Sequence, residues 1–417
     1  MFALVDCNNF YVSCERAFNP GLNDKPVVVL SNNDGCIISR SEEAKELGLK
    51  MAEPAFKKAR FLEENQVHLF SSNYTLYADM SQRVVETLRL FSPGVEIYSI
   101  DECFLDFNGL VIPELEKYGR EIVTCVKKYT GIPVSVGIGE SKTLAKIASK
   151  IAKKTGGLHI IGNENQRDCV IRNTPIDIVW GIGRNHTKRL VNKGIHTAYD
   201  FTCIHDNWIK KYMTVVGLRI KKELLGISCI ELEQVMPAKK AIATTRAFGK
   251  KITDLHFLKE AVATYTVRCA EKLRSQNSIA GFITVFIHTD PFNPNEPYYS
   301  ASKTLPLPVP THANSALVKI ALKALRMIYK ENIRYKKAGV IVSGISSETD
   351  IQQDLFSKED IRGQESISKA IDRINAKYGR DKIKLAIQGT GKEWKLRQEK
   401  LSKRYTTNWD EIIHVKT

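Results

Sequence analysis

Val95-Glu96-Ile97-Tyr98-Ser99-Ile100-Asp101-Glu102-Cys103-Phe104-Leu105-Asp106-Phe107 reads as a hairpin whose two strands, Val95–Ile100 and Cys103–Phe107, turn through an adjacent pair of acids. Upstream, the chain opens on an apolar run, Phe2-Ala3-Leu4-Val5, that ends on a third acid, Asp6. Between them a long helix is expected over Tyr74–Phe91, stopped by Ser92-Pro93-Gly94. Downstream come an amphipathic helix over Pro113–Tyr129, a strand over Pro133–Ile138 and a helix over Ser141–Lys154. Strand, helix, hairpin, helix, strand is the split βαβ order of a ferredoxin-like sheet, with an insertion over Cys7–Phe91. In that topology the first strand can lie beside the hairpin, which gathers Asp6, Asp101 and Glu102 on one face. Such acids are costly to bury unless a cation neutralises them. Two Mg²⁺ ions about 4 Å apart, holding the attacking and leaving oxygens of a phosphoryl transfer, need hard oxygen ligands of this kind. Taken singly, each acid is better read as a turn or helix-cap residue; together with their flanking residues they point the other way.

Inside the insertion, a helix is expected through Phe10–Arg16, strands over Pro26–Leu30 and Cys36–Arg40, and short helices over Ser41–Leu47 and Pro54–Glu63. Beyond Gly156-Gly157 the composition changes. Residues 163–230 read as short helices around Trp180-Gly181-Ile182-Gly183-Arg184, and Glu231–Lys240 as a linker. A second α/β pattern follows, with helices over Leu255–Gln276 and Ala313–Lys330 and strands over Ala280–His288 and Lys337–Gly344. The last seventy residues are polar and charged and read as partly flexible.

Lysine and arginine number 62 against 46 acids, a net charge of +16 that attracts polyanions, nucleic acid first among them. No run of about 18 apolar residues suggests a membrane span, and the N-terminus has no secretory pattern. Nine cysteines without a C-x-x-C pair fit reduced thiols in a cytoplasm and no zinc spacing. Gly389-Thr390-Gly391-Lys392 is no P-loop, because Ala386 stands where the first glycine belongs and Glu393 replaces the Ser/Thr.

Three motifs carry a closer likeness: Asp6-Cys7-Asn8-Asn9-Phe10-Tyr11-Val12-Ser13-Cys14-Glu15, then Ser99–Asp106, then Val136-Gly137-Ile138-Gly139-Glu140-Ser141-Lys142-Thr143-Leu144-Ala145-Lys146 through Ala152-Lys153. In order and separation they resemble the motifs of Y-family translesion DNA polymerases. Asn8 and the Ser-Cys-Glu ending resemble the UmuC branch, as does the tail Arg404-Tyr405-Thr406-Thr407-Asn408-Trp409-Asp410. The resemblance implies that Asp6 and Asp101 bridge both Mg²⁺ ions, that Glu102 binds the catalytic one, and that the Cys7 carbonyl completes the nucleotide-side metal. It implies that Tyr11 is the steric gate against a 2′-hydroxyl. It further implies a triphosphate cradled by the N–H groups of Asn9, Phe10 and Tyr11 and contacted by Lys45 and Lys153. A lysine at 45 replaces a family arginine and is less directional. Glu42 stands where the family has a triphosphate-binding tyrosine, and Arg40 is the residue near enough to compensate. Asp106 is read as a structural acid.

Gly181 and Gly183 resemble the turn of a helix–hairpin–helix, with Lys188 and Arg189 set for phosphate contact. Gln352-Gln353-Asp354-Leu355-Phe356 resembles the bacterial sliding-clamp-binding pentapeptide, with Gln352, Asp354, Leu355 and Phe356 as its anchors. The implied fold is a multi-domain α+β right hand: palm 1–9 and 76–162 (ferredoxin-like), small fingers 10–75, helical thumb 163–230, linker 231–240, α/β little finger 241–347 and C-terminal tail 348–417. The implied partners are primer–template DNA, a dNTP, the sliding (β) clamp, a processed UmuD dimer and RecA, and the setting is SOS damage tolerance in the cytoplasm. Two rivals stay open on residues alone. A metal-dependent nuclease needs the acids but not Tyr11 or the triphosphate lysines, and a catalytically silent DNA- or clamp-binding protein needs none of the acids.

Overall fold

A computed structural model describes residues 1–233, 237–349, 361–391 and 393–413. The chain separates into two compact units: Met1–Ser31 with Gly35–Met236 and Lys400–Thr417, and Asn32–Asp34 with Pro237–Glu399.

In the first unit, β1 (Phe2–Cys7) leads into α1 (Phe10–Phe18), β2 (Val27–Leu30), β3 (Ile37–Arg40), α2 (Glu42–Glu46), α3 (Ala59–Glu64) and β4 (His68–Ser71). Next come α4 (Tyr74–Leu88), β5 (Gly94–Ile97), β6 (Glu102–Asp106), α5 (Leu115–Thr130), β7 (Val134–Gly139), α6 (Lys142–Ala152) and β8 (Leu158–Ile160). Four helices follow: α7 (Glu164–Arg172), α8 (Arg184–Val191), α9 (Ala198–Thr202) and α10 (Asp206–Leu224).

The main sheet has the order β5-β6-β1-β7-β8. Its first four strands follow the ferredoxin-like arrangement, and β8 adds a parallel edge beside β7. Central β1 is antiparallel to both neighbours and sets Asp6 opposite Glu102 on β6. Its opening run is apolar at every position because both faces are covered. Ala3 and Val5 join Val84 of α4 and Ile122 of α5 on one side. Phe2 and Leu4 join Phe104 and Ala145 of α6 on the other. The hairpin turns earlier than the sequence pattern suggests. Tyr98 N and Ser99 N both donate to Glu102 O at 3.1 Å, so Glu102 begins β6 while Asp101 sits in the turn.

The insertion forms a separate small sheet, β3-β2-β4, over its own core of Val28, Leu30, Ile37, Leu49 and Leu62. Helices α7–α10 enclose Ile171, Ile182, Leu190, Phe201, Ile209 and Leu224. Gly181 there has φ +89°, and a Cβ on it would come within 2.7 Å of the Ile220 side chain, so glycine is required twice over. The segment read as a linker is tied down at its start: Lys142 Nζ donates to Glu231 O at 2.7 Å and Glu233 N to Glu96 Oε2 at 2.7 Å.

In the second unit, β9 (Ala241–Ile252), α11 (Leu255–Ser275), β10 (Ser278–His288), β11 (Ser300–Thr311), α12 (Asn314–Ile328) and β12 (Tyr335–Ser347) build an antiparallel sheet in the order β11-β10-β12-β9. Leu258, Val262 and Leu273 of α11 and Leu317 and Leu325 of α12 share a core with the sheet residues Ile283, Val285 and Val340. A further helix, α13 (Ile361–Tyr378), lies within the stretch read as partly flexible. Among the described residues no helix is long and apolar enough to cross a membrane. The pentapeptide Gln352–Phe356 and Lys392 lie outside the described residues.

Candidate active site

Asp6 ends the buried run of β1, and its side chain is 13% exposed. Asp101 is held against it by backbone, since Cys7 N donates to Asp101 O at 2.8 Å. The three acids are therefore neighbours because β1 and β6 pair and the turn before β6 folds back on Cys7. Two lysines answer them. Lys153 Nζ lies 2.8 Å from Asp6 Oδ2, and Lys146 Nζ lies 3.1 Å from both carboxylate oxygens of Glu102. Ser99 Oγ donates to Asp101 Oδ1. Burial pushes the Asp6 carboxyl up to about 6, Lys153 pulls it back, and the nearby Glu102 and Asp101 charges add to the rise.

As arranged, no three His, Cys, Asp or Glu groups among the described residues form a metal-holding set, and lysines sit on the carboxylate oxygens of Asp6 and Glu102. The donor chemistry nevertheless fits a hard divalent cation: three carboxylates gathered where β1 pairs with β6 and the turn before β6 folds back on Cys7. Such a cation would compete with Lys153 and Lys146 for the same oxygens. Asp106 stands apart, with Oδ1 accepting from Asn108 N at 2.8 Å and Asn108 Nδ2 at 2.7 Å in a turn after β6.

Lys146 was missed by sequence reading, although Lys142 and Lys146 stand at the i, i+4 spacing of one helix face. Its ammonium also lies 4.2 Å from the Tyr98 ring centre and 5.5 Å from that of Trp180. Lys142 is fully buried against Glu96, over the Phe104 ring. Three lysines from α6 and its end thus meet three acids on the sheet that α6 covers.

Five residues beyond Asp6, Tyr11 sits in the first turn of α1. Its ring stacks on Tyr77 at 4.5 Å and 17° and meets Tyr74 edge-on at 6.1 Å. Half-burial raises its phenol. Asn9 enters α1 in the left-handed conformation, φ 48° and ψ 42°, without a side-chain cap. The amides of Asn9, Phe10 and Tyr11 are thus the leading N–H groups of that helix, where anions are favoured. Lys45 pairs with Glu42 at 2.6 Å, and Glu42 also accepts from Asn9 Nδ2 at 3.0 Å. Arg40 points its guanidinium at the Leu49 carbonyl instead. Gly183 precedes α8, on which Lys188 and Arg189 are exposed, and Arg189 donates to Tyr212 O at 2.9 Å.

The impB/mucB/samB family model matches residues 5–150, and the model of that family's C-terminal domain matches residues 239–355. A domain of unknown function matches 365–415. Protein UmuC of Salmonella typhimurium is 43% identical over the whole of both chains. Protein MucB of Escherichia coli is 38% identical over 99% of each. DNA polymerase IV of Moorella thermoacetica is 27% identical over 93% of this chain and 96% of its own. Among solved structures, a Y-family DNA polymerase chimera of Dbh and Dpo4 matches with a TM-score of 0.67 at 22% identity, covering 83% of this chain and 100% of that one. An insertion ternary complex of Dbh DNA polymerase matches with a TM-score of 0.54 at the same identity and coverage. The fold is that of a multi-domain right-hand polymerase.

Proposed function

The chain belongs to the impB/mucB/samB family, and from that premise we propose that it is an error-prone translesion DNA polymerase acting in SOS damage tolerance. The observation that carries this reading is the setting of Asp6 opposite Glu102 and beside Asp101, with Tyr11 five residues further on. A nuclease would need the acids alone. The domains proposed are palm 1–9 and 76–162, fingers 10–75, thumb 163–230, little finger 241–347 and tail 348–417.

Asp6, Asp101, Glu102 and the Cys7 carbonyl would hold two Mg²⁺ ions, which when bound acidify the primer 3′-hydroxyl and neutralise the leaving pyrophosphate. Around that chemistry the chain's own groups position the nucleotide. The leading amides of α1 receive phosphate oxygens, and Lys153 and Lys45 add point charges to the triphosphate. The Tyr11 ring closes the space a 2′-hydroxyl would need. Gly181, Gly183, Lys188 and Arg189 would hold the DNA backbone without reading sequence. The small fingers leave little protein to enclose a nascent pair, which weakens geometric checking and lets damaged templates through.

Gln352, Asp354, Leu355 and Phe356 are proposed to bind the sliding clamp, and the tail to receive the UmuD dimer, with RecA as a further partner. The decisive experiment is primer extension in Mg²⁺ by Asp101→Ala. We expect incorporation to fall by about a thousandfold, the effect of losing several kcal/mol of metal-borne stabilisation. Retention of full dNTP incorporation would overturn the metal assignment.

A further inference from the structure

Glu15, at the end of the first motif, has no role so far, and the C-terminal segment after Glu399 has been given only a proposed partner. The structure joins them. Glu15 is 2% exposed, an acid inside the core of the first unit. Its Oε1 accepts from the Tyr77 hydroxyl at 2.6 Å and from Ser402 Oγ at 2.9 Å. Tyr77 is fully buried and is the ring on which Tyr11 stacks. The segment that brings Ser402 is itself anchored at several points. Ser71 N donates to Lys400 O at 2.9 Å and Lys400 N to Ser71 Oγ at 3.0 Å. Asn73 Nδ2 donates to Ser402 O at 3.1 Å and to Lys403 O at 3.2 Å, while its Oδ1 caps α4 by accepting from Leu76 N. The Tyr405 ring stacks on Phe18, at the far end of α1, at 4.8 Å. The segment thus clasps α1, which carries Tyr11, and the start of α4, which carries Tyr74 and Tyr77.

A buried carboxylate with one donor removed is left undersatisfied and draws its remaining partner into a new position. Tyr77 is that partner, and Tyr11 lies flat against it. We propose that the C-terminal segment Lys400–Tyr405 is a positioning element for sugar selection, with Ser402 setting the Tyr11 ring through Glu15 and Tyr77. The proposal rests on reading Tyr11 as the gate against ribonucleotides.

The test is single-nucleotide extension by the full-length chain, comparing kcat/KM for a dNTP with that for the matching rNTP. The variants are Tyr11→Ala, Tyr77→Phe, Ser402→Ala and Ser402→Thr, each with its thermal midpoint recorded. We expect Tyr11→Ala to abolish most of the discrimination. Ser402→Ala and Tyr77→Phe should each lower it by about fivefold, the scale of one hydrogen bond, and Ser402→Thr should restore it by keeping the hydroxyl. If Tyr11→Ala loses discrimination while Ser402→Ala and Tyr77→Phe keep it, the positioning role is overturned and the gate stands. If Tyr11→Ala itself keeps discrimination, both fall. A Ser402→Ala variant that loses thermal stability without changing the dNTP/rNTP ratio also overturns the proposal, because that is what a purely structural clasp would do.

Discussion

Lys142, Lys146 and Lys153 each meet an acid of the main sheet, yet the three contacts differ in what they can do. Lys142 is 1% exposed and its partner Glu96 9%, so this pair is a buried ion pair. Removing one member of such a pair leaves the other charge uncompensated, at a cost of about 3–5 kcal/mol. Lys142→Met should therefore lower unfolding stability by roughly 3 kcal/mol, read from urea denaturation. A loss below about 1 kcal/mol would mean that Glu96 finds another partner. Lys153 is 42% exposed, and its bond to Asp6 is of the surface kind, worth at most about 1 kcal/mol. The role proposed for it lies in binding the nucleotide. Lys153→Ala should raise the KM for dNTP by about tenfold while leaving the urea midpoint nearly unchanged, the charge-assisted contact to phosphate being the larger interaction. The Lys153 role came from the motif, whereas its contact with Asp6 could not be read from sequence because 147 residues separate them.

At the scale of elements, the third motif owes its glycines to helix packing. A Cβ built on Gly137 of β7 would lie 2.0 Å from Ser149 N, 2.4 Å from Ala145 O and 2.6 Å from Ala148 C, all backbone of α6. No side-chain rotation relieves such a clash, so helix and strand must part. Gly137→Ala should cost about 3 kcal/mol, the upper range of overpacking, and weaken catalysis because α6 carries Lys146 and leads to Lys153. A urea midpoint like that of the parent would refute this account. Packing of this kind was invisible in the sequence, where the same glycines entered only as part of a likeness. Other elements were legible or hidden for physical reasons too. The hairpin and β1 were legible because continuous apolar runs ending at acids have few other homes. Strand β11 was hidden by Pro306, Pro308 and Pro310, which normally argue against a strand. It is an edge strand, where a missing donor need not break a ladder, and Pro308 and Pro310 fall in the stretch where its register with β10 shifts. Helix α13 escaped hydrophobic reading because polar groups dock it: Asn314 N donates to Ser368 Oγ at 3.1 Å and Arg274 reaches Asp372 at 2.9 Å, while Ile367 is 62% exposed.

Across the whole molecule, local sequence cues do not show which distant segments meet. Lys400 returns to Ser71 across 329 residues, and no periodicity near either end announces the pairing. The proposed clamp-binding peptide poses another case, since a short linear peptide is recognised through its own few side chains. In sequence, Gln352–Phe356 falls between the end of β12 at Ser347 and the start of α13 at Ile361. In a chain of net charge +16, general attraction to DNA supplies affinity for any primer–template. The clamp contact would add residence time, because tethering turns rebinding into an intramolecular event. Deleting Leu355 and Phe356 should then bring clamp-stimulated synthesis down to the clamp-free rate while bare primer extension stays at the parental level. That asymmetry discriminates, since charge-driven binding and the Asp6, Asp101 and Glu102 chemistry are the same with and without the clamp. Equal loss in both reactions would assign the Leu-Phe pair to folding of the second unit and leave the clamp without a docking peptide.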